Sequence, residues 1–298
     1  CNVSLPETAS QKLLTESETW IRKLNESKFF ALFALLKLNY SLLTASDYYA
    51  TNEYMADIKV DDFGLIDDEL RTKKSYNRDL FLRFKEIQNK PFNELQEKSE
   101  VNLNYLRQKM NAEVISTLRS NRDNLWYYIE APTGAGKTNL SLACVSELLH
   151  TDKSLNKVFY VFPFTTLITQ TFSGIQETIG LDKNEMIQLH SKAGFHTKEE
   201  ITDGEYGKEK KLHLDNLFVN YPFCVTSHIR FFDILKGNNK DSNYLLHRLC
   251  NSIVVIDELQ TYNPKHWDKI LYFIENYARL FNMRFIIMSA TLPKIDAL

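Results

Sequence analysis

The sequence has no strong charge of either sign. Lys and Arg number 36, Asp and Glu 38, and the net charge is −2. A broad basic face for nucleic acid is therefore excluded, and any such contact must be built locally from particular groups. Cysteines are few: Cys1, Cys144, Cys224 and Cys250. None forms a Cys-x-x-Cys pair, so neither a zinc site nor a disulfide framework is signalled. The last three sit among apolar neighbours as buried thiols, which fits a reducing cytosol. No run reaches the roughly 20 apolar residues that a membrane-crossing helix needs: the most apolar stretch, Phe29 to Leu36, meets Lys37 and Asn39. The opening CNVSLPETASQKLL lacks the basic-then-apolar layout of a signal peptide. It starts at Cys1 rather than Met, so residues upstream are expected. What is present is ordinary for a globular protein, 44% hydrophobic and 25% charged. The 298 residues suffice for one large domain or two smaller ones.

The texture changes along the chain. Residues 1–58 read as all-helical, and FFALFALLKLNYSLLTASDYYA is apolar nearly all round, as in a helix buried within a helical domain. Residues 59–100 are polar and mixed, and read as a linker with short helices. From residue 101 to 298, apolar runs rich in β-branched and aromatic residues recur: LWYYIE (125–130), KVFYVF (157–162), PFCVT (222–226), SIVVID (252–257) and RFIIMS (284–289). Continuous runs of this length suit parallel strands covered on both faces. Helical stretches such as NLSLACVSELLH (139–150) and KHWDKILYFIENYARLF (265–281) lie between them. The alternation predicts an α/β domain with a mostly parallel sheet. In the last helix the stripe Trp267, Ile270, Leu271, Ile274 and Tyr277 has core spacing. The polar stretch from Lys192 to Lys211 reads as a long surface loop.

The strongest chemical signal is APTGAGKT, Ala131 to Thr138, directly after the strand LWYYIE. It matches the phosphate-binding loop except that Ala131 replaces the first glycine. Thr133, Gly134, Ala135 and Gly136 form the turn, whose glycines let backbone N–H groups face phosphate oxygens. The following helix adds its positive end. Lys137 would reach the β- and γ-phosphates of ATP, and the Thr138 hydroxyl would bind Mg²⁺. The other half of such a site is an acidic pair at a strand end. SIVVIDELQ supplies it: Asp257 to hold Mg²⁺, and Glu258 to position and deprotonate the attacking water. Strand ends at one edge of an open parallel sheet converge on the ligand crevice.

These residues resemble superfamily two helicases, whose first motor lobe is a RecA-like P-loop domain. DELQ (257–260) stands where that superfamily has its DEAD or DExH box. SAT (289–291) stands at its third motif, which implies that Ser289 and Thr291 couple hydrolysis to strand movement. PFTT (163–166) and VTSHIRFF (225–232) resemble its two nucleic-acid motifs, which implies contacts to single-stranded DNA from Thr165, Thr166, Thr226 and His228. Hydroxyls and helix N-termini in such motifs grip backbone phosphates, which suits a motor that must ignore sequence. The five motifs also occur in the superfamily's order. Gln108 lies where the family reads adenine with a glutamine; a solvated helix residue is the equal alternative.

A narrower resemblance is to the CRISPR-associated helicase–nuclease of type I interference, on DELQ and on Leu189-His190-Ser191 after the first nucleic-acid motif. That family carries an HD-type nuclease domain before the motor, and SLLTASDYYAT resembles its final helix. The resemblance implies that Asp47 is a late ligand of a divalent transition metal, that a CRISPR surveillance complex recruits the protein, and that DNA is unwound and degraded. No other HD ligand precedes Asp47, and an ordinary helix-end carboxylate is the alternative reading. His190 at such a position is more often a satisfied polar residue after a strand than a nucleic-acid ligand. The chain stops just after SAT, so the second lobe with its arginine finger is expected to be missing. Such fingers are worth roughly 10³–10⁵ in rate, so weak nucleotide binding and very slow hydrolysis are expected of this chain alone. Three rival readings stand beside this one: a DEAD-box RNA helicase, a restriction-system helicase subunit, and a nucleotide-gated binding module without motor activity.

Overall fold

A computed structural model describes residues 7–73, 100–132, 134–189, 206–237, 240–261 and 267–290. Six strands form one sheet: β1 (Trp126–Glu130), β2 (Lys157–Phe162), β3 (Met186–Leu189), β4 (Phe223–Ser227), β5 (Ser252–Asp257) and β6 (Arg284–Ser289). Every pairing is parallel, in the order β1-β6-β5-β2-β4-β3. Five strands fall on the apolar runs. The sixth, β3, escapes a reading by hydropathy because it is a four-residue edge strand with only Met186 buried.

Side chains alternate between the faces of a strand, and each face has its own core. Phe159, Val161, Val254, Ile256, Phe285 and Ile287 belong to one cluster. Val158, Tyr160, Phe162, Val255, Ile286 and Met288 belong to the other. Helices α4 (Glu100–Ser120), α5 (Lys137–Thr151) and α6 (Thr165–Ile179) cover the second face. Helices α7 (Tyr206–Phe218), α8 (His228–Lys236) and α10 (Trp267–Phe281) cover the first, with the short α9 (Lys240–Asn243) between the last two in sequence. Burial on both faces is what allows strands this uniformly apolar. Residues 206–211, read as loop, belong to α7; residues 192–205 of the same stretch lie outside the described residues.

The N-terminal helices are α1 (Glu7–Ile21), α2 (Glu26–Ala56) and α3 (Asp68–Lys73). Helix α2 starts at Asn25, whose side chain accepts from Lys28 N–H, and ends at Asp57 in the left-handed region. It is not buried all round. Only Phe30, Ala34, Lys37, Ser41 and Ala45 are buried, a stripe one side chain wide, while Leu36 is 61% and Leu43 72% exposed. Composition shows how apolar a helix is, and not which face finds a partner. Helix α2 is also long and apolar enough, by length and composition alone, to cross a membrane. Lys37 breaks the apolar run but not the helix, which continues through it as its sequence suggested. The Lys37 ammonium finds partners inside the fold, donating to the carbonyls of Ile234 (3.1 Å), Leu235 (3.2 Å) and Gly237 (2.5 Å) at the end of α8. Phe30 meets Tyr272, Phe273 and Tyr277 of α10 edge-on at 5.1–5.5 Å. The Ser41 hydroxyl donates to the Tyr244 carbonyl at 2.9 Å.

The stretch read as a linker is clamped at its start. Lys157 is fully buried and donates to the Gly64 carbonyl at 3.0 Å. Arg248 donates to the carbonyls of Phe218 (2.9 Å) and Phe63 (3.4 Å), to the Tyr49 hydroxyl (2.7 Å) and to the Asn220 side chain. Gly64, at φ +61°, lies so close to Asn220 and Tyr221 that a Cβ would fall 2.1 Å from their backbone. Arg71 then caps the end of α5, donating to the carbonyls of Leu149, Lys153 and Leu155. Residues 74–99 lie outside the described residues.

Candidate nucleotide site

Because the strands are parallel, their C-terminal ends share one edge, and the motifs collect there. The phosphate loop follows β1, and Ala131 N–H donates to the Ser289 carbonyl at 3.2 Å. Strand β6 lies between β1 and β5. Registers pair Glu130 with Ser289, and Met288 with Asp257. Ser289 thus stands between the loop and the acidic pair.

Gly134 and Gly136 both take positive φ, +85° and +82°, which a side chain would disfavour. Gly136 caps α5 with no side-chain bond, so backbone N–H groups head the helix. Lys137 Nζ lies 2.5 Å from Glu258 Oε1. Glu258 reaches it because the chain turns sharply after Asp257: Glu258 has φ +53°, a conformation that costs a non-glycine residue of order 1 kcal/mol. Its N–H donates to Asp257 Oδ1 at 3.0 Å. Its second carboxylate oxygen accepts from the Gln260 amide, and Gln260 Oε1 accepts from Ser289 Oγ at 2.5 Å. Lys137, Glu258, Gln260 and Ser289 therefore form one chain of polar contacts across three strand ends.

Electrostatics separate the two carboxylates. Burial pushes Asp257 up to about 6, and the neighbouring Glu258 charge adds to this, against Lys137. Burial also raises Glu258, but the bonds from Lys137 and Gln260 outweigh it and hold the group below its ordinary value. Asp257 is thus a carboxylate whose charge lacks compensation, while Glu258 is a compensated anion. Mg²⁺ prefers hard oxygen donors, and the Thr138 hydroxyl with the Asp257 carboxyl is such a pair.

The residues expected to face nucleic acid divide. Thr165 opens α6 after β2, and Thr166 in its first turn is exposed. Thr226 and His228 are turned inward, 1% and 3% exposed, which corrects that expectation. Thr226 lies in β4, paired on both sides, and its hydroxyl donates to the Leu189 carbonyl at 2.9 Å. His228 Nε2 lies 2.9 Å from the Asp257 carbonyl, and burial holds the ring neutral, down to about 4. It ties the start of α8 to the end of β5. Asp47 is exposed on α2. Among the described residues no group of three or more His, Cys, Asp or Glu side chains could hold a metal. Thr133, His190 and Thr291 lie outside the described residues.

Two site residues were missed. Arg107 donates to the Gly134 carbonyl from Nε (3.0 Å) and from a terminal nitrogen (2.8 Å). Half-buried Gln108 is next on α4, about 100° around the helix, so the adjacent position reaches the loop. Gln260 was legible as the last residue of DELQ, two places from Glu258.

A family model described as DEAD/DEAH box helicase matches residues 108–298. The CRISPR-associated nuclease/helicase Cas3 of Haloferax volcanii is 27% identical over 176 residues, 55% of this chain and 19% of that protein. Among solved structures, T. fusca Cas3 with AMPPNP has a TM-score of 0.48 at 18% identity, covering 70% of this chain and 22% of that one. The DUF1998 helicase MrfA bound to DNA and AMPPNP has a TM-score of 0.41 at 17% identity, covering 61% and 24%. The chain spans about a fifth of the length of these Cas3 proteins.

Proposed function

The chain belongs to the DEAD/DEAH box helicase family, and on that premise we propose that it is the ATP-hydrolysing lobe of a Cas3-like helicase–nuclease that moves on single-stranded DNA. The observation that carries the reading is the polar chain Lys137–Glu258–Gln260–Ser289 beside Asp257. The loop at Gly134–Thr138 receives the phosphates. Lys137 exchanges the Glu258 carboxylate for phosphate oxygens. Glu258, held ionised, is then free to orient a water and accept its proton. Thr138 and Asp257 would hold Mg²⁺, which when bound neutralises charge on the transferred phosphoryl group. Gln260 links the carboxylate that changes partner to Ser289, and so carries the state of the nucleotide to the third motif.

The Haloferax relative supports the narrower Cas3-like reading, which brings with it recruitment by a CRISPR surveillance complex and degradation of DNA. Asp47 stands alone as an HD-site candidate among the described residues, so no nuclease step follows from the residues present. The motor reading is tested by titrating a fluorescent ATP analogue with Mg²⁺ and by phosphate release with single-stranded DNA or RNA. Lys137→Ala should weaken binding by about a hundredfold, and Glu258→Gln should keep binding while slowing hydrolysis roughly 10²–10⁴-fold. Unchanged binding in Lys137→Ala would sink the reading. Stimulation by RNA and not DNA would move the chain to the RNA helicases.

A further inference from the structure

The phosphate loop is held from outside by a residue that no motif contains. Helix α4 runs beside α5 and touches it at two levels. Near its end, Arg119 forks onto the buried Glu147 at 2.7 and 2.8 Å. Twelve residues earlier, about 18 Å along a helix rising 1.5 Å per residue, Arg107 donates twice to the Gly134 carbonyl. The Arg107 stem also covers the helix start: a Cβ built on Gly136 would lie 3.9 Å from Arg107 Cδ. The peptide between Gly134 and Ala135 is engaged at both polar atoms, since Ala135 N–H donates to the Pro132 carbonyl at 3.1 Å. That peptide plane is therefore fixed with its oxygen toward α4.

A phosphate cradle works only if its N–H groups face the anion and its carbonyl oxygens, which carry negative partial charge, face away. A glycine at positive φ is the most easily turned residue in such a loop. A guanidinium forking onto one oxygen fixes the direction as well as the distance. We propose that Arg107 is a positioning residue of the phosphate loop, holding the Gly134 oxygen aside so that a nucleoside di- or triphosphate meets only the donors. The Arg119–Glu147 pair sets the register that places it. This rests on the nucleotide-site reading above.

The test measures affinity for the N-methylanthraniloyl derivatives of ADP and ATP, each with Mg²⁺, in the wild-type chain and in Arg107→Ala, Arg107→Lys and Lys137→Ala, with thermal melts of all four. Arg107→Ala should weaken both nucleotides by about tenfold with an unchanged melt, and Arg107→Lys should recover part of the loss, since one ammonium can hold the oxygen without forking onto it. An unchanged or tighter affinity in Arg107→Ala overturns the proposal. So does a loss confined to the triphosphate, which would put Arg107 on the terminal phosphate. A loss explained by a lowered melt overturns it too. If Lys137→Ala binds both nucleotides as the wild type does, the nucleotide-site reading itself has failed, and the positioning role falls with it.

Discussion

Lys137 and Lys157 are both withdrawn from water, and their partners differ in kind. Lys157 donates to the backbone carbonyls of Phe63 and Gly64. Burial, with the Arg248 charge beside it, holds its amine well below the ordinary lysine range. Lys137 instead pairs with the Glu258 carboxylate. A carbonyl is fixed by the chain that carries it, whereas a carboxylate can rotate away and leave its cation to another anion. The first arrangement fastens two parts of the chain together; the second keeps a charge ready for exchange. Arg248, which donates to two carbonyls and two neutral side chains, belongs to the fastening kind.

The sharpest way to break this division is Arg248→Ala. It leaves several buried acceptors without their donor and should cost about 4 kcal/mol of stability, read from urea unfolding, while nucleotide affinity at low temperature stays near wild type. A parallel collapse of affinity would show that fastening and exchange are one system. A smaller effect comes from pH. Burial pushes His228 from 6.5 down to about 4, so the unfolded chain binds a proton that the folded chain refuses. Stability present above pH 6.5 is lost as pH falls toward 4, by roughly 2 kcal/mol at pH 5 from this residue alone. Denaturant melts at pH 7, 6 and 5 measure the slope, and His228→Gln should remove this share of it, leaving the shares of His247, which burial pushes down to about 3, and of Asp257, which burial pushes up to about 6. The same slope in wild type and His228→Gln would mean that His228 is not held in the fastening manner. The smallest effect concerns Gln260. Gln260→Ala cuts the link between Glu258 and Ser289 and should lower the turnover number about tenfold with nucleotide affinity held. An equal loss in affinity would place Gln260 among the binding groups.

The sheet was legible because strands covered on both faces write continuous apolar runs, and the nucleotide site because a strand–loop–helix motif keeps its chemistry within eight consecutive residues. What escaped depends on contacts distant in sequence. Nothing in TSH shows that Thr226 and His228 turn inward, because that follows from β2 and β3 lying on either side of β4 and from the Asp257 carbonyl at the end of β5. Arg107 carries no pattern of its own; only the packing of α4 along α5 brings it to Gly134. The polar texture of residues 59–100 suggested a linker with short helices, yet Lys157 and Arg248, remote in the chain, bind carbonyls at its start. Helix α2 shows the converse error: an apolar composition was read as complete burial, and one stripe of it packs.

That stripe removes any clean seam on the N-terminal side of the lobe. Phe30, Ala34 and Ala45 share a core cluster with strand residues of the sheet, and Lys37 closes the end of the helix whose first residue, His228, holds the Asp257 carbonyl. Helix α8 is nine residues long, a rod of about 13 Å gripped at one end by α2 and at the other by the end of β5. In evolutionary terms, α2 is not a detachable accessory but part of the frame of the α/β lobe. A lineage that exchanged its N-terminal neighbour would have to keep a lysine at that level of the helix, or find another donor for those three carbonyls.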